Sequence, residues 1–348
     1  MADAPRVLVI RRRYLGDVVL LAPLFRNLKL HWPNAEITAL VEEPYTEILS
    51  LNPDVAQAWA IPDDKSPVTW ISFVRKLQRA RFSHVLDLDN TEKTALITRA
   101  TRAPYRVKLK LGAIPEKLPS FYTASVFVSS EEYASRPISE THLRILTAIH
   151  VPVTSRETRL VPKTADVEFA EKMLPRLEGN PRRLLIHPGS RSEFRVWPVE
   201  RFAEIASRAA KELGAQVALV GGPGETKLIH DILTRATAPL MVPDKPLSTS
   251  RFAAFASRFD AMLCHDSGPM HVAAAVGTPV IALFGSQDVS IWRPSGNQHV
   301  VLRPPLPCVN CVSPTVCIPG DSYRNFCVRN LTADVVWTAV KAQLGRQV

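Results

Sequence analysis

The chain has 348 residues, of which 43 are Lys or Arg and 33 are Asp or Glu, so its formal net charge at pH 7 is +10. With 46% apolar and 22% charged residues the composition is that of a folded protein, which excludes a disordered or collagen-like chain, and the length excludes a mini-protein. The basic balance suits an anionic partner, such as a nucleic acid, a membrane surface or a charged substrate, without choosing among them.

Two features of the sequence bear on its location. No basic and apolar leader precedes the first apolar run, which predicts a cytoplasmic protein. Residues 267–287 contain no Asp, Glu, Lys or Arg and have the length of a membrane span. Because Pro269, Pro279 and three glycines divide that stretch, we predict a short helix and a short buried strand there instead.

The first half alternates short β-branched runs with amphipathic segments. This alternation is typical of a parallel α/β sheet, whose strands are buried on both faces. The predicted strands are 7–10, 37–41 and 84–88, and the predicted helices are 18–30 and 71–80.

The second half repeats this pattern after residues 151–166, a stretch rich in Pro, Thr and basic residues that we predict to be a linker. We therefore expect two Rossmann-like domains with parallel sheets, facing each other across a cleft. Their predicted bounds are 1–160 and 167–330, with a C-terminal helix in 331–348. The predicted strands of the second half are 184–186, 216–220, 261–264 and 280–284, and its predicted helices are 199–213, 225–233 and 269–276.

The turn after the first strand contains three arginines, Arg11, Arg12 and Arg13, followed by Gly16 and Asp17. Ligands of open α/β sheets bind at the carboxyl ends of the strands, and the arginines favour an anionic ligand. The three-glycine fingerprint of dinucleotide binding is absent from this turn. Asp17 fits a carboxylate that points into the cleft and equally fits an ordinary helix N-cap.

Three strand-to-helix turns of the second half carry groups suited to the phosphates or hydroxyls of a nucleotide sugar. Small residues let backbone amides approach phosphate oxygens, and Arg supplies bidentate charge. Each turn also has a plain structural interpretation: a loop in the first, a favourable helix-end charge in the second and a core histidine in the third. The residues are Gly189, Ser190 and Arg195 in the first turn, Glu225 in the second, and Asp266, Ser267, Gly268 and His271 in the third.

Four of the five cysteines lie close together near the C-terminus. The first two have the spacing of a zinc knuckle, but the other gaps are irregular, so a structural zinc is an open alternative. No set of His or carboxylate residues accompanies them, which disfavours a catalytic metal. The four are Cys308, Cys311, Cys317 and Cys327.

A basic run lies between residues 99 and 117, with Glu116 as its one acid. A solvated loop and a surface for an anionic substrate fit this run equally well. Its members are Arg99, Arg102, Arg106, Lys108, Lys110 and Lys117.

As an ordered set, the motifs resemble glycosyltransferase family 9, the ADP-heptose:lipopolysaccharide heptosyltransferases, over nearly the whole chain. Each motif is weak alone, whereas the ordered set is specific. The family often has Lys at the position of Arg195, a departure that keeps the charge and alters its geometry. The matching segments are 14–17 (YLGD), 52–55 (NPDV), 187–190 (HPGS), 195–198 (RVWP), 266–271 (DSGPMH), 273–279 (AAAVGTP) and 283–286 (LFGS).

The resemblance implies a GT-B fold with an acceptor-binding first domain and a nucleotide-sugar-binding second domain. It implies inverting transfer of a heptose from ADP-heptose, without a cofactor or catalytic metal. It further implies that Asp17 is the general base, that Ser190 and Arg195 hold the diphosphate, that Glu225 holds the ribose, and that residues 266–268 with His271 hold the sugar and phosphate side. Gly189 is expected to contact the donor as well.

The acceptor implied by the resemblance is the lipid-linked inner core of lipopolysaccharide, at the inner face of the cytoplasmic membrane. Residues 292–303 look most like the enzymes that add the second or third heptose. The basic residues of the first domain are expected to bind this acceptor: Arg12, Arg13, Arg102, Arg106, Lys108 and Lys110.

Two alternatives stand beside this reading. The first is another GT-B enzyme of the cell envelope, a glycosyltransferase or an epimerase that uses a different nucleotide sugar. The second is a non-catalytic nucleic-acid-binding protein that uses the +10 charge. Such proteins interleave basic residues with aromatic side chains, and an aromatic content of 7% disfavours this alternative.

Overall fold

The computed structural model describes residues 4–112, 114–115, 117–174, 179, 181–191, 195–285, 287–304 and 326–345. The chain divides into two compact units, Met1–Val161 and Pro162–Val348. The division falls in a stretch, 151–163, that has no helix or strand. In the described ranges, no helix is both long and apolar enough to span a membrane.

The first unit is built on a six-stranded sheet in which every neighbouring pair is parallel. The strand order is β3-β2-β1-β4-β5-β6, the doubly wound order of a Rossmann fold. Its strands are β1 (Arg6–Ile10), β2 (Glu36–Val41), β3 (Gln57–Ala60), β4 (His84–Asp87), β5 (Tyr105–Leu111) and β6 (Ala124–Val128). Its helices are α1 (Leu15–Val19), α2 (Ala22–His31), α3 (Thr46–Leu49), α4 (Pro67–Arg79), α5 (Glu92–Ala100), α6 (Ser130–Ala134) and α7 (Ile138–Leu143).

The helix predicted at 18–30 is two helices in the structure. A continuous helix would need an N–H at Pro23 to bond to the carbonyl of Val19, and proline has none. α2 therefore begins anew, with Pro23 in its first turn, where an N–H has no helical partner. The break leaves α1 as a short helix directly after the turn that follows β1.

The second unit has a five-stranded parallel sheet of order β11-β10-β9-β7-β8. Met241 forms a further parallel bridge to Ala218 of β8, and with this bridge the order matches that of the first sheet. Its strands are β7 (Arg183–His187), β8 (Gln216–Leu219), β9 (Ala261–His265), β10 (Val280–Leu283) and β11 (Val300–Leu302). Its helices are α8 (Thr164–Met173), α9 (Val199–Leu213), α10 (Thr226–Leu233), α11 (Thr249–Ala256), α12 (Gly268–Ala275), α13 (Val289–Trp292), α14 (Phe326–Arg329) and α15 (Ala333–Leu344).

Both sheets are buried between layers of helices. In the first unit Val7, Leu8, Val9 and Ile10 of β1 are fully buried, as a central parallel strand requires. In the second unit the core includes α15, which contributes buried apolar side chains beside those of β7 and β9. The predicted α/β class with two Rossmann-like parallel sheets is confirmed.

The strand orders place one switch point in each sheet. In the first sheet, the strands that follow β1 are added on one side of it, and those that follow β4 are added on the opposite side. In the second sheet, β7 and β9 are the corresponding pair. Loops leaving the carboxyl ends of such strands diverge and leave room for a ligand between them. Candidate residues of the sequence follow β1, β7 and β9, which are three of these four strands, and Glu225 follows β8, the neighbour of β7.

Candidate active site

Asp17 is the candidate catalytic group of the first unit, and it lies on α1, just after β1. The residue is 6% exposed, and the Arg11 guanidinium donates a hydrogen bond to its Oδ1. The Tyr14 N–H donates to its Oδ2 at 3.2 Å, so the carboxylate also stabilises the amino end of α1. Arg11 is itself fixed by the carbonyl of Leu88 at 3.0 Å. The structural and the catalytic interpretation of Asp17 are therefore compatible.

A network of charges surrounds this pair at the same edge of the sheet. Asp89, which follows β4, lies 3.9 Å from Arg11 and 3.7 Å from Arg12. Arg12 also pairs with Glu42 at 2.7 Å. Burial raises the pKa of Asp89, and the charges of Arg11 and Arg12 oppose that rise. The Arg11 guanidinium is thus held beside Asp17 and the Arg12 guanidinium beside Asp89, at the edge where the sequence predicts an anionic ligand.

Tyr133 and His142, which sequence reasoning missed, also lie near Asp17. Burial raises the pKa of Tyr133, and the charge of Asp17 raises it further. Burial and the Arg11 charge lower the pKa of His142 to about 3, although Asp17 acts in the opposite direction, so this imidazole is neutral at pH 7. Both residues belong to the segment of α6 and α7, where no motif, glycine turn or strand end marks a site.

The basic run of residues 99–117 is not one surface. Arg102 precedes β5, at the amino edge of the sheet, and Arg106, Lys108 and Lys110 follow one another along β5 toward the carboxyl edge where Asp17 lies. Lys108, between them, is 1% exposed, and Arg106 uses its Nε–H to hold a backbone carbonyl at 2.7 Å. Lys108 is thus buried and Arg106 is held by the backbone, and the role of this run in acceptor binding stays a prediction.

In the second unit, Glu225 lies in the turn between β8 and α10, and its side chain packs against the turn that follows β7. Its Oε2 accepts a hydrogen bond from the Gly222 N–H at 2.7 Å and lies 3.7 Å from Nε2 of His187. The carboxylate packs so closely on Gly189 that a Cβ there would overlap it. Burial lowers the pKa of His187, and the Glu225 charge opposes this. Gly189 and Glu225, from different turns, therefore form one site.

His265, the last residue of β9, joins two ends of the loop that follows β7. Its Nε2 accepts the Trp197 N–H at 2.8 Å, which leaves the proton on Nδ1, 3.4 Å from the carbonyl of Gly189. Burial lowers its pKa to about 3, consistent with a neutral ring that accepts and donates at once. Ser190 and Arg195 lie on the loop that this imidazole spans. Sequence analysis assigned His265 no role, because both partners are distant in the chain.

The turn after β9 places an acid, a hydroxyl and a helix amino end together. Asp266 is buried and pairs with Arg195 at 3.4 Å. Ser267 is the N-cap of α12, yet in the described structure its side chain makes no capping hydrogen bond. The amides that begin α12 at Gly268 can therefore serve an anion. His271 is buried on α12, as are Met270 and Val272 before and after it in sequence.

The comparisons with known proteins agree with this geometry. The model of glycosyltransferase family 9 (heptosyltransferase) matches residues 70–318, which is more than half of the chain. The chain belongs to glycosyltransferase family 9. The family resemblance inferred from the motifs is thereby confirmed.

Relatives of this family 9 chain match it over most of their length. The lipopolysaccharide heptosyltransferase 3 of Escherichia coli is 24% identical over 296 residues, which cover 83% of this chain and 86% of the relative. A solved family 9 glycosyltransferase of Veillonella parvula has a TM-score of 0.83 at 19% identity and covers 99% of this chain and 98% of its own. The ADP-heptose lps heptosyltransferase II of E. coli has a TM-score of 0.77 at 20% identity, with coverages of 97% and 98%.

These findings decide between enzyme and binding protein. Family 9 consists of glycosyltransferases, so the chain is an enzyme and not a non-catalytic nucleic-acid-binding protein. The two Rossmann-like units are those of a GT-B fold, which the solved family 9 structures share over nearly the whole chain.

Most of the cysteine cluster lies outside the described residues, namely Cys308, Cys311 and Cys317. Cys264 is a free, buried thiol, and burial raises its pKa. Within the described ranges, no group of three or more His, Cys, Asp or Glu residues is arranged to hold a metal ion. The possible structural zinc is therefore not tested.

The buried charge of Asp266 gives this family 9 chain a specific pH dependence. Burial raises the pKa of Asp266 to about 6, against an ordinary 3.8, although Arg195 opposes the rise. The folded chain then holds this proton more tightly than the unfolded chain, so the contribution of Asp266 to stability falls as pH rises from about 4 to 6. Asn does not titrate in this range. We therefore expect the free energy of unfolding of Asp266→Asn to rise by about 2 to 3 kcal/mol relative to that of wild type over this interval.

The measurement is the difference in free energy of unfolding between wild type and Asp266→Asn, from urea denaturation at several pH values. Taking the difference removes the titration of all other groups that the two proteins share. A difference that does not change between pH 4 and 7 would contradict the raised pKa of Asp266.

Proposed function

We propose that this chain is an inverting heptosyltransferase that moves a heptose from ADP-heptose to the inner core of lipopolysaccharide. The observation that carries the proposal is the placement of a buried, oriented carboxylate, Asp17, after β1, together with a donor-type site after β7, β8 and β9, in a family 9 chain. The names of the relatives, lipopolysaccharide heptosyltransferase 3 and ADP-heptose lps heptosyltransferase II, support the substrate class.

In this proposal Asp17 accepts the proton of an acceptor hydroxyl as that oxygen attacks the anomeric carbon of the donor. The new bond is between the acceptor oxygen and the anomeric carbon, and the bond from that carbon to the diphosphate breaks. Its electron pair leaves with ADP, and attack from the opposite side inverts the anomeric centre. Arg11 and the Tyr14 N–H orient the carboxylate for this transfer.

The donor site is proposed in the second unit. Arg195 and the amino end of α12 at Gly268 offset the charge that develops on the departing diphosphate. Ser190 and the backbone of Gly189 approach the same group, and Glu225 accepts hydrogen bonds from the ribose hydroxyls. These cationic and backbone groups supply the charge compensation that a divalent ion would supply elsewhere, so we propose transfer without a metal cofactor.

On the sugar side of the donor, we propose contacts from Asp266, Ser267 and His271. The Arg195–Asp266 pair at 3.4 Å then links the sugar side of the site to its diphosphate side. His265 bonds to both Gly189 and Trp197, so the loop that carries Ser190 and Arg195 is fixed to β9 before the donor binds.

For the acceptor we propose Arg12, Arg13 and Lys110 as contacts, since all three lie toward the edge of the first sheet that carries Asp17. Their charges suit the carboxylates and phosphates of a lipid-linked core oligosaccharide. The lipid anchor places the enzyme at the inner face of the cytoplasmic membrane. The E. coli relative named heptosyltransferase 3 supports addition of the second or third heptose.

ADP should stabilise the purified chain against heat with or without EDTA. At about a hundred times its dissociation constant a ligand adds about 2.7 kcal/mol to stability. The matched experiment compares turnover of ADP-heptose with that of uridine and guanosine sugars. Strict dependence of ADP binding on magnesium, or preference for another nucleotide sugar, would contradict the proposal and favour a different GT-B enzyme of the cell envelope.

A further inference from the structure

A groove of about 650 Å³ lies in the first unit, away from the site described above. It runs between α4 and the amino ends of β1, β2 and β3, whereas Asp17 follows the carboxyl end of β1. The groove and the candidate base are therefore at opposite edges of the same sheet. The lining residues used below are Arg6, Trp59, Ser72, Arg75, Lys76 and Arg79.

The groove is strongly basic. Among the described residues, Arg75, Lys76 and Arg79 pair with no carboxylate, although two of the three are arginines that readily form such pairs. Lys76 instead extends over the ring of Trp59, with its Nζ 3.8 Å from the ring centre. The acid of the lining, Glu36, is already paired with Arg6 at 3.4 Å.

The exposed face of α4 adds apolar surface to this charge. Val68 is 76% exposed and Ile71 is 50% exposed, while Phe73 and Leu77 of the same helix are buried in the core. At about 100° per residue, Val68, Ser72, Arg75, Lys76 and Arg79 project within about 100° of one another, and Ile71 projects beside Arg75. One helix face thus presents apolar residues at one end and cations at the other.

We propose that this α4 face, defined by Val68, Ile71, Arg75, Lys76 and Arg79, binds the anionic phospholipid surface of a membrane. Unpaired cations attract anionic headgroups, exposed Val and Ile enter the interfacial layer, and Trp with Lys over its ring is a pair suited to that layer. The choice of a membrane as partner rests on the proposed function, because a lipid-linked acceptor has to be met at a membrane.

The test is co-sedimentation of the full chain with vesicles of phosphatidylglycerol and phosphatidylcholine, and with vesicles of phosphatidylcholine alone. Wild type should bind the anionic vesicles and lose binding as salt is raised. Replacing Arg75, Lys76 and Arg79 together with Ser should weaken the partition about a hundredfold, since each cation near an anionic surface contributes about fivefold. Val68→Ser should weaken binding several-fold without changing its salt dependence.

The matched control replaces three exposed cations elsewhere, Arg159, Lys163 and Lys172, with Ser, which lowers the net charge equally. It should keep most of the binding. Equal loss in the two triple variants, or no binding of wild type to anionic vesicles, would overturn the assignment of α4.

Heptose transfer to an acceptor freed of its lipid chains separates docking from catalysis. The α4 triple variant should transfer at the wild-type rate, and a loss there would place these cations in the acceptor site and overturn the membrane assignment. If wild type transfers no heptose at all, the proposed function fails, whereas the vesicle result still tests the docking surface by itself.

Discussion

Replacing Asp17 with Asn is expected to lower the turnover of ADP-heptose at least a hundredfold and to leave the affinity for ADP unchanged. Asn keeps an oxygen that can accept from the Tyr14 N–H, so α1 should form as before. What is lost is the capacity to take the proton of the acceptor hydroxyl, and general-base catalysis contributes about 10² to 10⁴ in rate. The measurements are single-turnover rates and calorimetric titration with ADP.

Asp89→Asn is the matched control for this variant. It neutralises a second, half-buried carboxylate near Arg11, at 3.9 Å, without touching the proposed base. We expect a much smaller loss of turnover than in Asp17→Asn, caused only by a changed position of Arg11 and Arg12. Normal turnover in Asp17→Asn, or equal losses in both variants, would remove Asp17 from the role of base.

The central strands of both sheets were predictable because burial on two faces leaves a continuous apolar run. β1 and β9 have this pattern, and both are fully buried apart from the first residue of β1. β5 was missed because every second residue, from Arg106 to Lys110, is cationic. That alternation fits a solvated loop and a surface for an anionic substrate equally well, whereas the structure places the middle cation, Lys108, inside the unit. Burial of a lysine is decided by tertiary neighbours that a local pattern does not contain.

The donor site was predictable to the extent that its groups lie directly at strand ends. Gly189, Glu225 and Asp266 each stand in a turn where small and polar residues follow an apolar run, which is a local signal. Their mutual contacts were not predictable. The bridge from His265 to Gly189 joins residues 76 apart in sequence, and a single sequence carries no trace of such a pair.

In the first unit too, the groups near Asp17 that are close in sequence were predictable, and the distant ones were not. Arg11 and Asp17 are six residues apart, so the turn after β1 revealed both. His142 comes from α7, and it reaches Asp17 and Arg11 only through the packing of that helix. A buried histidine in a helix without a motif is read from sequence as a core residue, and its position beside two charges is visible only in the folded chain.

Gly189→Ala is expected to weaken ADP binding at least tenfold with little effect on the folded state. A Cβ at residue 189 would overlap the Glu225 carboxylate, which lies at the end of a flexible side chain and can move away. Moving it breaks the 2.7 Å hydrogen bond from the Gly222 N–H and displaces the group proposed to hold the ribose. Hydrogen bonds to a charged group are worth about 1.5 to 3 kcal/mol, which corresponds to a loss of roughly 10- to 150-fold.

Three further variants make this prediction specific to Glu225. Gly224→Ala adds the same methyl group to a neighbouring turn, where a Cβ would meet no atom within 4 Å, and it should bind ADP as wild type does. Glu225→Ala removes the carboxylate that the new methyl group would displace. Adding Gly189→Ala to this variant should therefore cause no further loss of affinity for ADP. Titration of all four variants with ADP measures this coupling. A further loss in the double variant would mean that the methyl group obstructs the diphosphate directly, and Gly189 would then act on the donor without Glu225.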